Sequence, residues 1–533
     1  MAPRVLIAER LSPSAVALFR ERGIEAEVRV GLGPAELRAV IGGYDGLAIR
    51  SGTKVTRELL EAAPRLRVVG RAGIGIDNID LTSATARGVV VMNTPYGNAI
   101  TTAEHAIAML FALARQLPLA SQSTKAGHWE KHRFLGVEVT GKVLGLIGCG
   151  NVGAIVADRA NGLKMRVIAA DPYLTEKRAV ELGVEKVDLA SLLARADFIS
   201  LHTPLTAETR DILSREAIFA TKPGVRIINC SRGGLIDEAA LYEAIKAGHV
   251  AGAGLDVFET EPATESPLFA LEQVVCTPHL GAATAEAQEK VAQQIAAQMA
   301  DFLLAGTVEN ALNMPNVTAE EAPRLKPYMT LCRLLGSLLG QIVAARPAGE
   351  RAAISGIELA YEGQAAALNH KPLTAAALAG ALAPLFGAVN MVNAPVIARE
   401  RGIELAETVV ERAGDYATQV RLTIMTGEGR HSAAGTLFAG GKPRLVELQG
   451  IGMEAEFAPY MLAVSNQDRP GFIGRFGSLL AEAGVNIATF HLGRALRGGD
   501  ALCLVALDGE VPERVLAEVR ALPLVIQAIP LAF

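Results

Sequence analysis

The stretch K-V-L-G-L-I-G-C-G-N-V-G at residues 142–153 decides the fold of this 533-residue chain. It predicts an apolar strand, the glycine turn Gly148-Cys149-Gly150-Asn151-Val152-Gly153, and a helix that begins in the turn. Such glycines let the backbone approach a pyrophosphate, which the free N–H groups at the helix start would bind. Asp171 ends the next predicted strand, where a carboxylate can bind the adenosine ribose. The pattern therefore predicts an NAD site and disfavours NADP; the alternative is an ordinary turn with a surface aspartate.

Strands and helices alternate on both sides of this stretch, which is typical of parallel α/β domains. We expect a long helix at 284–304 to return the chain to the first block, so that one domain is inserted in the other. The predicted fold class is a Rossmann-type NAD domain (99–285) inserted in a discontinuous flavodoxin-like substrate domain (1–98 and 286–314), with the site in the cleft between them. Strands are predicted at 5–8, 27–30, 46–49, 67–70, 89–92, 142–147, 165–170, 197–201, 225–229, 251–255 and 273–276.

The chain changes character after Met314-Pro315-Asn316 and becomes rich in alanine and leucine. We predict an α+β intervening domain at 315–456. The uncharged segment 372–398 is interpreted as buried helices and not as a membrane helix, because Pro384 and Pro395 interrupt it. The order βαββαβ after residue 457 predicts a ferredoxin-like domain at 457–533.

Composition excludes several classes of protein. The net charge is −5 without a cluster of Lys and Arg, so no nucleic-acid partner is expected. The five cysteines are scattered without metal-ligand spacing, which indicates free thiols in a reducing, cytoplasmic compartment and no metal. The N-terminal apolar run is too short for a signal peptide, and no membrane partner is expected.

Three residues follow predicted strands of the second block and form a candidate catalytic group. Arg232 could hold a carboxylate through two parallel N–H bonds. His279 could exchange a proton with a hydroxyl or carbonyl oxygen, and Glu261 could fix the tautomer of that imidazole. Glu259 is a rival to Glu261, and each residue alone could be structural. Together they predict hydride transfer to or from a 2-hydroxy acid.

Two arginines of the first block indicate an anionic substrate tail. Arg50 and Arg71 both follow predicted strands and would meet at the same sheet edge. A phosphate would need such residues, whereas an uncharged tail would not. The alternative is that both are ordinary surface arginines.

Four segments resemble motifs of the D-isomer-specific 2-hydroxyacid dehydrogenases, and the resemblance covers residues 4–314. They are Arg71-Ala72-Gly73-Ile74-Gly75-Ile76-Asp77-Asn78, Val91-Met92-Asn93-Thr94-Pro95 with Gly97-Asn98, Asn229-Cys230-Ser231-Arg232-Gly233-Gly234, and Pro278-His279-Leu280-Gly281. The resemblance is strongest to the branch that oxidises 3-phospho-D-glycerate with NAD to 3-phosphooxypyruvate, the first step of L-serine synthesis. Ile74 departs from the threonine often found there, which implies that its cofactor contact is through the backbone only.

The same resemblance implies a role for each site residue. It assigns the carboxylate to Arg232 and the proton pair to Glu261 and His279. The implied substrate pocket contains Arg50, Ser51, Arg71, Gly73 and Asn98. The implied NAD contacts are Gly148, Gly150, Asn151, Val152, Gly153, Asp171, Thr203, Cys230, Ser231, Arg232, Asp256, His279 and Gly281.

The tail extends the resemblance to the long forms of that branch. Val389-Asn390-Met391-Val392-Asn393-Ala394-Pro395, with Glu400-Arg401-Gly402, resembles their intervening domain, and residues 459–533 resemble an ACT domain. Such domains bind amino acids between copies, which implies an L-serine effector held by Asn466, Asp468 and Asn486, and a homotetramer. The alternative for these three residues is that they only form turns.

Two other functions stay open at this point. One is a hydroxypyruvate or glyoxylate reductase of the same group, which would need neither the two arginines nor the tail. The other is an NAD-sensing binding protein on this fold, like the transcriptional co-repressors, against which the intact catalytic group argues.

Overall fold

The computed structural model describes residues 2–345, 353–412 and 414–533, and these form four β-sheets. The first sheet contains β1 (Arg4–Ile7), β2 (Glu25–Val28), β3 (Gly46–Ile49), β4 (Val68–Arg71) and β5 (Val90–Met92). Its helices are α1 (Pro13–Glu21), α2 (Pro34–Val40), α3 (Arg57–Glu61) and α4 (Leu81–Ala86). The strand order β2-β1-β3-β4-β5 with parallel pairing is the flavodoxin-like order.

The second sheet contains seven parallel strands and carries the glycine turn. Its strands are β6 (Val143–Ile147), β7 (Arg166–Ala170), β8 (Glu185–Lys186), β9 (Phe198–Leu201), β10 (Val225–Asn229), β11 (Val250–Leu255) and β12 (Val274–Cys276). Its helices are α5 (Ala99–Arg115), α6 (Leu117–Lys125), α7 (Asn151–Gly162), α8 (Glu176–Leu182), α9 (Leu189–Arg195), α10 (Arg215–Phe219) and α11 (Glu238–Lys246). The strand order is β12-β11-β10-β9-β6-β7-β8. Strands β7 and β8 are added on one side of β6, and β9 to β12 are added on its other side, as in Rossmann domains.

Helix α12 (Ala285–Ala305) returns the chain to the first sheet. Its Met299 lies over Gly46 and Gly70, where an added Cβ would come within 3.1 and 2.2 Å of that side chain. The two glycines therefore allow the helix to pack directly on strands β3 and β4. Ile295 and Met299 are fully buried there, in one core with Val5 and Val68.

A helix pair and a six-stranded sheet follow. The helices are α13 (Ala322–Ala344), α14 (His370–Phe386) and α15 (Ala394–Glu400), and the strands are β13 (Ile354–Gly363), β14 (Glu404–Val410), β15 (Thr418–Thr426), β16 (Gly429–Phe438), β17 (Lys442–Leu448) and β18 (Ile451–Glu456). Helices α13 and α14 approach closely because they meet through glycines: a Cβ on Gly336 would lie 2.2 Å from the carbonyl oxygen of Ala377.

The uncharged segment 372–398 lies in α14 and α15 and is largely buried. Pro384 does not interrupt α14 as predicted, because it lies in the last turn and the helix continues to Phe386. Among the helices of the described residues, none has the length and apolar character needed to cross a membrane.

The fourth sheet is antiparallel with order β20-β21-β19-β22. Its elements are β19 (Tyr460–Gln467), α16 (Phe472–Glu482), β20 (Ile487–Arg494), β21 (Asp500–Leu507), α17 (Glu513–Arg520) and β22 (Val525–Ala532), in the predicted order. Helices α16 and α17 cover one face. The other face joins the core of the preceding region through Met461, Leu504 and Leu531, and Gln341 of α13 bonds the backbone of Ala532. The predicted fold class is confirmed.

The asparagines of the 389–395 motif dock the third region onto the first. Asn390 Nδ2 donates to the carbonyl oxygen of Gly88 (2.9 Å), and Asn393 Nδ2 donates to that of Ala86 (3.3 Å). Both acceptors lie at the C-terminal end of α4, where unpaired carbonyls need partners. Val392 enters the core of the first region.

Candidate active site

The glycine turn after β6 has the geometry that a dinucleotide requires. Gly148 has a φ of 93°, and a Cβ there would lie 2.6 Å from the carbonyl oxygen of His202. A Cβ on Gly153 would lie 2.3 Å from the carbonyl oxygen of Gly148, so a larger residue would push α7 away from the turn. Gly150 faces open space. The turn therefore leaves room for a pyrophosphate at the N-terminus of α7.

Asp171, at the end of β7, stabilises this turn through hydrogen bonds. Its carboxylate accepts hydrogen bonds from the backbone N–H of Cys149 (2.7 Å) and of Tyr173 (2.8 Å). Two of the other predicted NAD contacts are joined as well, because the Ser231 hydroxyl donates to the carbonyl oxygen of Thr203 (2.7 Å). Three strand ends of one sheet thus contribute to a continuous edge that fits the cofactor.

Glu261 is the carboxylate that contacts the imidazole of His279. Its Oε2 lies 2.7 Å from His279 Nδ1, and its Oε1 accepts from the backbone N–H of Phe258 (3.1 Å). Burial is the largest single effect and opposes ionisation of Glu261, but the hydrogen bond and charge of His279 and the N–H of Phe258 together lower the pKa of the carboxyl. The backbone N–H of the rival Glu259 bonds Glu238. Because Nδ1 of His279 is engaged, Nε2 is the nitrogen available for proton exchange.

Asp256 holds the loop that carries His279. The fully buried carboxylate accepts from the Thr277 hydroxyl (2.6 Å) and from the backbone N–H of Leu280 (2.6 Å) and Gly281 (2.8 Å). His279 itself has a φ of 53° and donates its backbone N–H to the Asp256 carbonyl. This network fixes a left-handed backbone that is costly for a residue other than glycine.

His105 completes the network from α5. Its Nε2 lies 3.2 Å from the Thr277 hydroxyl and 3.3 Å from Asp256 Oδ1. Burial is the largest single effect and opposes ionisation of Asp256, but the bonds from His105, Thr277 and the Leu280 N–H, with the charge effect of His105, together lower its pKa. The sulfur of Cys230 is also within 4.8 Å of these groups. Burial raises the pKa of that thiol strongly, and the carboxylate is already engaged, so we assign the cluster to hydrogen bonding and not to a metal.

Arg232 extends from the loop after β10 across the cleft to the first region. Its Nε donates to Asp77 Oδ2 (2.8 Å), and its Nη1 donates to the carbonyl oxygen of Ser231 (2.6 Å). Asn229 supports the loop by donating its Nδ2 to the carbonyl oxygen of Arg232. The guanidinium lies against Gly75, where an added Cβ would be 1.6 Å from Nη2.

The predicted substrate pocket lies in the first region, on the same side of the cleft as Gly75. Arg71 is largely buried, and burial, followed by the positive charge of Arg232, lowers its pKa to about 10. The charge of Arg50 acts on it in the same direction, so the three arginines lie close together. Within the described chain, Arg71 Nε and Asn98 Oδ1 are buried without a hydrogen-bond partner, as expected of atoms that face a ligand.

Glu9 shapes the loop that carries Arg50 and Ser51. Its carboxylate accepts from the backbone N–H of Arg50 (2.9 Å), Gly52 (3.1 Å) and Thr53 (2.8 Å). These three amides are therefore not available to an anion. Gly73 is fixed similarly, since its N–H donates to the Thr94 hydroxyl (2.8 Å).

The structure does not bring the three predicted effector residues together within one chain. Asn466 and Asp468 lie where β19 ends, whereas Asn486 precedes β20 and is level with the start of β19, with β21 between them. Seven residues of strand separate the two ends, so they are roughly 20 Å apart. Asp468 accepts from Arg494 Nη1 (2.8 Å) and from the Gly498 N–H (3.0 Å), and Asn486 donates to Asp508.

Four residues near the site were not predicted from the sequence as functional: Asp77, Glu9, Thr94 and His105. Asp77 lies in the segment 71–78 that carries the family resemblance, which was the available signal. Thr94 likewise lies in the resembling segment 91–95, whereas Glu9 and His105 contact residues distant in sequence, and no local pattern marks those contacts.

Comparison with known proteins agrees with this geometry. Residues 107–281 match the NAD binding domain of the D-isomer specific 2-hydroxyacid dehydrogenases. Residues 324–449 match the D-3-phosphoglycerate dehydrogenase intervening domain, and residues 460–524 match the ACT domain. Among solved structures, a protein of Thermus thermophilus is 37% identical with a TM-score of 0.54, covering 58% of this chain and 99% of that chain. A glyoxylate reductase from Paecilomyes thermophila is 28% identical with a TM-score of 0.55, covering 58% and 98%.

Relatives that match almost the full length of the chain identify one family within these dehydrogenases. The D-3-phosphoglycerate dehydrogenase of Synechocystis sp. is 40% identical over 97% of this chain and 92% of its own length. That of Methanocaldococcus jannaschii is 40% identical over 98% of both chains. The chain is thus an NAD-binding member of the D-isomer specific 2-hydroxyacid dehydrogenases. Within that class it belongs to the D-3-phosphoglycerate dehydrogenase family, in the form that carries an intervening domain and an ACT domain.

Proposed function

We propose that this chain oxidises 3-phospho-D-glycerate to 3-phosphooxypyruvate with NAD, the first step of L-serine biosynthesis. Two observations carry the proposal: the charges of Arg50 and Arg232 act on Arg71, and Glu261 bonds His279 at strand ends of the sheet that also carries Arg232. A substrate with a carboxylate at one end and a phosphate at the other needs cations at two places and a proton acceptor near its hydroxyl. The two full-length relatives described above carry the name of this activity.

The proposed chemistry uses one group for each task. Arg232 binds the substrate carboxylate, which fixes C2 near the cofactor edge. Nε2 of His279 takes the proton of the C2 hydroxyl as the C–H bond of C2 breaks, and Glu261 stabilises the imidazolium that forms. NAD held at the turn Gly148–Gly153 and by Asp171 would supply the acceptor for the C2 hydride. In the reverse direction His279 returns its proton to the carbonyl oxygen.

Arg50 and Arg71 bind the phosphate in this proposal, together with Ser51, Gly73 and Asn98. The unpartnered Nε of Arg71 supports it, because a buried N–H without a protein partner is costly unless a ligand or water accepts from it. The pKa of Arg71 is lowered first by burial and then by the positive charges of Arg232 and Arg50, and an incoming phosphate would offset the effect of these charges.

We further propose the domain division 1–98 with 286–314, 99–285, 315–456 and 457–533, a homotetrameric assembly and a cytoplasmic location. L-serine is proposed as an effector, held by Asn466 and Asp468 of one copy and by Asn486 of another. The separation of these residues within one chain supports a site between copies. Arg494 and the Gly498 N–H both bond Oδ2 of Asp468, so the serine ammonium group would bind Oδ1.

The test is NADH formation from 3-phosphoglycerate and NAD, with and without L-serine. His279→Ala should lose most turnover while it retains NAD binding, whereas His128→Ala, which changes an exposed histidine, should behave as the wild type. Loss of NAD binding in His279→Ala would indicate a structural role. Reduction of glyoxylate or hydroxypyruvate, without turnover of 3-phosphoglycerate, would favour the reductase alternative and refute the proposal.

A further inference from the structure

Asp77 makes the one polar contact described above between Arg232 and the opposite side of the cleft. It lies between β4 and α4, whereas Arg232 follows β10, so the 2.8 Å bond from Nε joins the two regions that enclose the site. The Asp77 side chain is 62% exposed and that of Arg232 is 27% exposed. Since solvent screens such a pair, its contribution to folding stability is small. Its position beside the site suggests a different role.

The contact determines which edge of the guanidinium faces the cleft. Arginine has five N–H groups in one plane. Asp77 takes that of Nε, the Ser231 carbonyl oxygen takes one of Nη1, and the backbone of Gly75 lies against Nη2. The remaining hydrogens of Nη1 and Nη2 form the outer edge of the fork, and this edge can accept a carboxylate with two parallel bonds.

We propose that Asp77 is a positioning residue for Arg232, which holds the guanidinium so that its Nη1–Nη2 edge meets the substrate carboxylate. This inference rests on the proposed role of Arg232. Because Asp77 and Arg232 belong to opposite sides of the cleft, the orienting bond requires the two sides to be as near each other as in this structure. Arg232 is then aligned at the moment when substrate and cofactor are brought together.

A purely electrostatic role would give different results. Asp77 lies near Arg71 as well, and its charge opposes the lowering of the Arg71 pKa. If Asp77 only balanced the charge of the three arginines, an uncharged replacement of the same shape would fail. If it orients Arg232, Asp77→Asn should succeed, because the amide oxygen can still accept from Nε.

The experiment compares Asp77→Ala and Asp77→Asn with Asp301→Ala, a control that breaks another exposed arginine–aspartate pair of the first region, with Arg22. Three quantities are measured: kcat, the Kd of NAD, and the Kd of 3-phosphoglycerate for the enzyme–NADH complex, from NADH fluorescence. This Kd is accessible even for variants that do not turn over. We expect Asp77→Ala to weaken 3-phosphoglycerate binding about tenfold, or about 1.4 kcal/mol. The Kd of NAD should not change, and Asp77→Asn and Asp301→Ala should stay within about threefold of the wild type.

Arg232→Lys separates a failure of this inference from a failure of the proposed function, because lysine lacks the planar fork. In that background Asp77→Ala should change the Kd of 3-phosphoglycerate by less than about twofold. If Arg232→Lys alone leaves that Kd unchanged, the proposed role of Arg232 is wrong, and the inference falls with it. If Arg232→Lys weakens binding but Asp77→Ala does not, only the inference is wrong. Equal losses in Asp77→Ala and Asp77→Asn would assign Asp77 to charge balance and overturn the positioning role.

Discussion

Replacing Gly75 by alanine should damage substrate binding and leave cofactor binding intact. The added Cβ would lie 1.6 Å from Arg232 Nη2 and 2.7 Å from Cζ, whereas ordinary contacts begin at 3.4 Å. The guanidinium must therefore move by about 2 Å, which also breaks its bond to Asp77. A displacement of about 1 Å in a positioning group can cost about 100-fold in rate. We expect kcat/KM for 3-phosphoglycerate to fall at least about 100-fold, or about 2.7 kcal/mol.

The assay is initial-rate NADH formation, with the Kd of NAD measured in parallel. Gly75 does not have a left-handed backbone, so alanine adds a steric contact without backbone strain. Gly162→Ala is the matched control, because that glycine ends α7 with no atom within 4 Å of an added Cβ. A Gly75→Ala enzyme with kcat/KM within about threefold of the wild type would refute the placement of the Arg232 guanidinium in the working enzyme.

Two further predictions concern the cofactor domain. Asp171→Ala removes a carboxylate that bonds the turn and would repel a 2′-phosphate. The KM of NAD should therefore rise about tenfold, and the preference for NAD over NADP should decrease. An unchanged ratio of kcat/KM for the two cofactors would contradict this. Burial lowers the pKa of His202 from 6.5 to about 4, so between these values the unfolded chain binds a proton that the native chain does not, and stability must rise with pH through that window. Between pH 7.5 and pH 5 the free energy of unfolding of the wild type should fall by about 2 kcal/mol more than that of His202→Asn. It is measured by urea unfolding, in the transition that NAD binding shifts. Equal losses would show that the imidazole is not buried and neutral.

The α/β part of the fold could be predicted because local signals and packing agree there. The strand over 225–229 has the predicted bounds, and α12 returns to the first sheet as expected from its length and its terminal glycine, Gly306. The six-stranded sheet of the third region was not predicted strand by strand. Its strands mix apolar and small polar residues, and its helices pack through glycines such as Gly336, which propensity alone counts against a helix.

The candidate site could be predicted where one residue carries a recognisable chemistry at the end of a strand. Arg232, Glu261 and His279 were proposed from the residues and from the family resemblance together. Asp77 was missed as a partner of Arg232 because 155 residues separate them, and a single sequence carries no signal for such a pair. The ion pair between Asp468 and Arg494 was missed for the same reason.

The shared core of the third and fourth regions limits how the enzyme can be shortened. The sheet face formed by Met461, Leu504 and Leu531 is an inner surface, since α13 lies on it. An enzyme truncated after residue 456 would keep the two regions that form the proposed active site, but it would expose a hydrophobic surface on α13. Such surfaces promote aggregation. Deletion of residues 457–533 alone, made to remove the proposed serine site, should therefore yield a protein that aggregates. Removing everything after residue 314 discards both halves of that core together, and uncovers the place where Val392, Asn390 and Asn393 contact the first region.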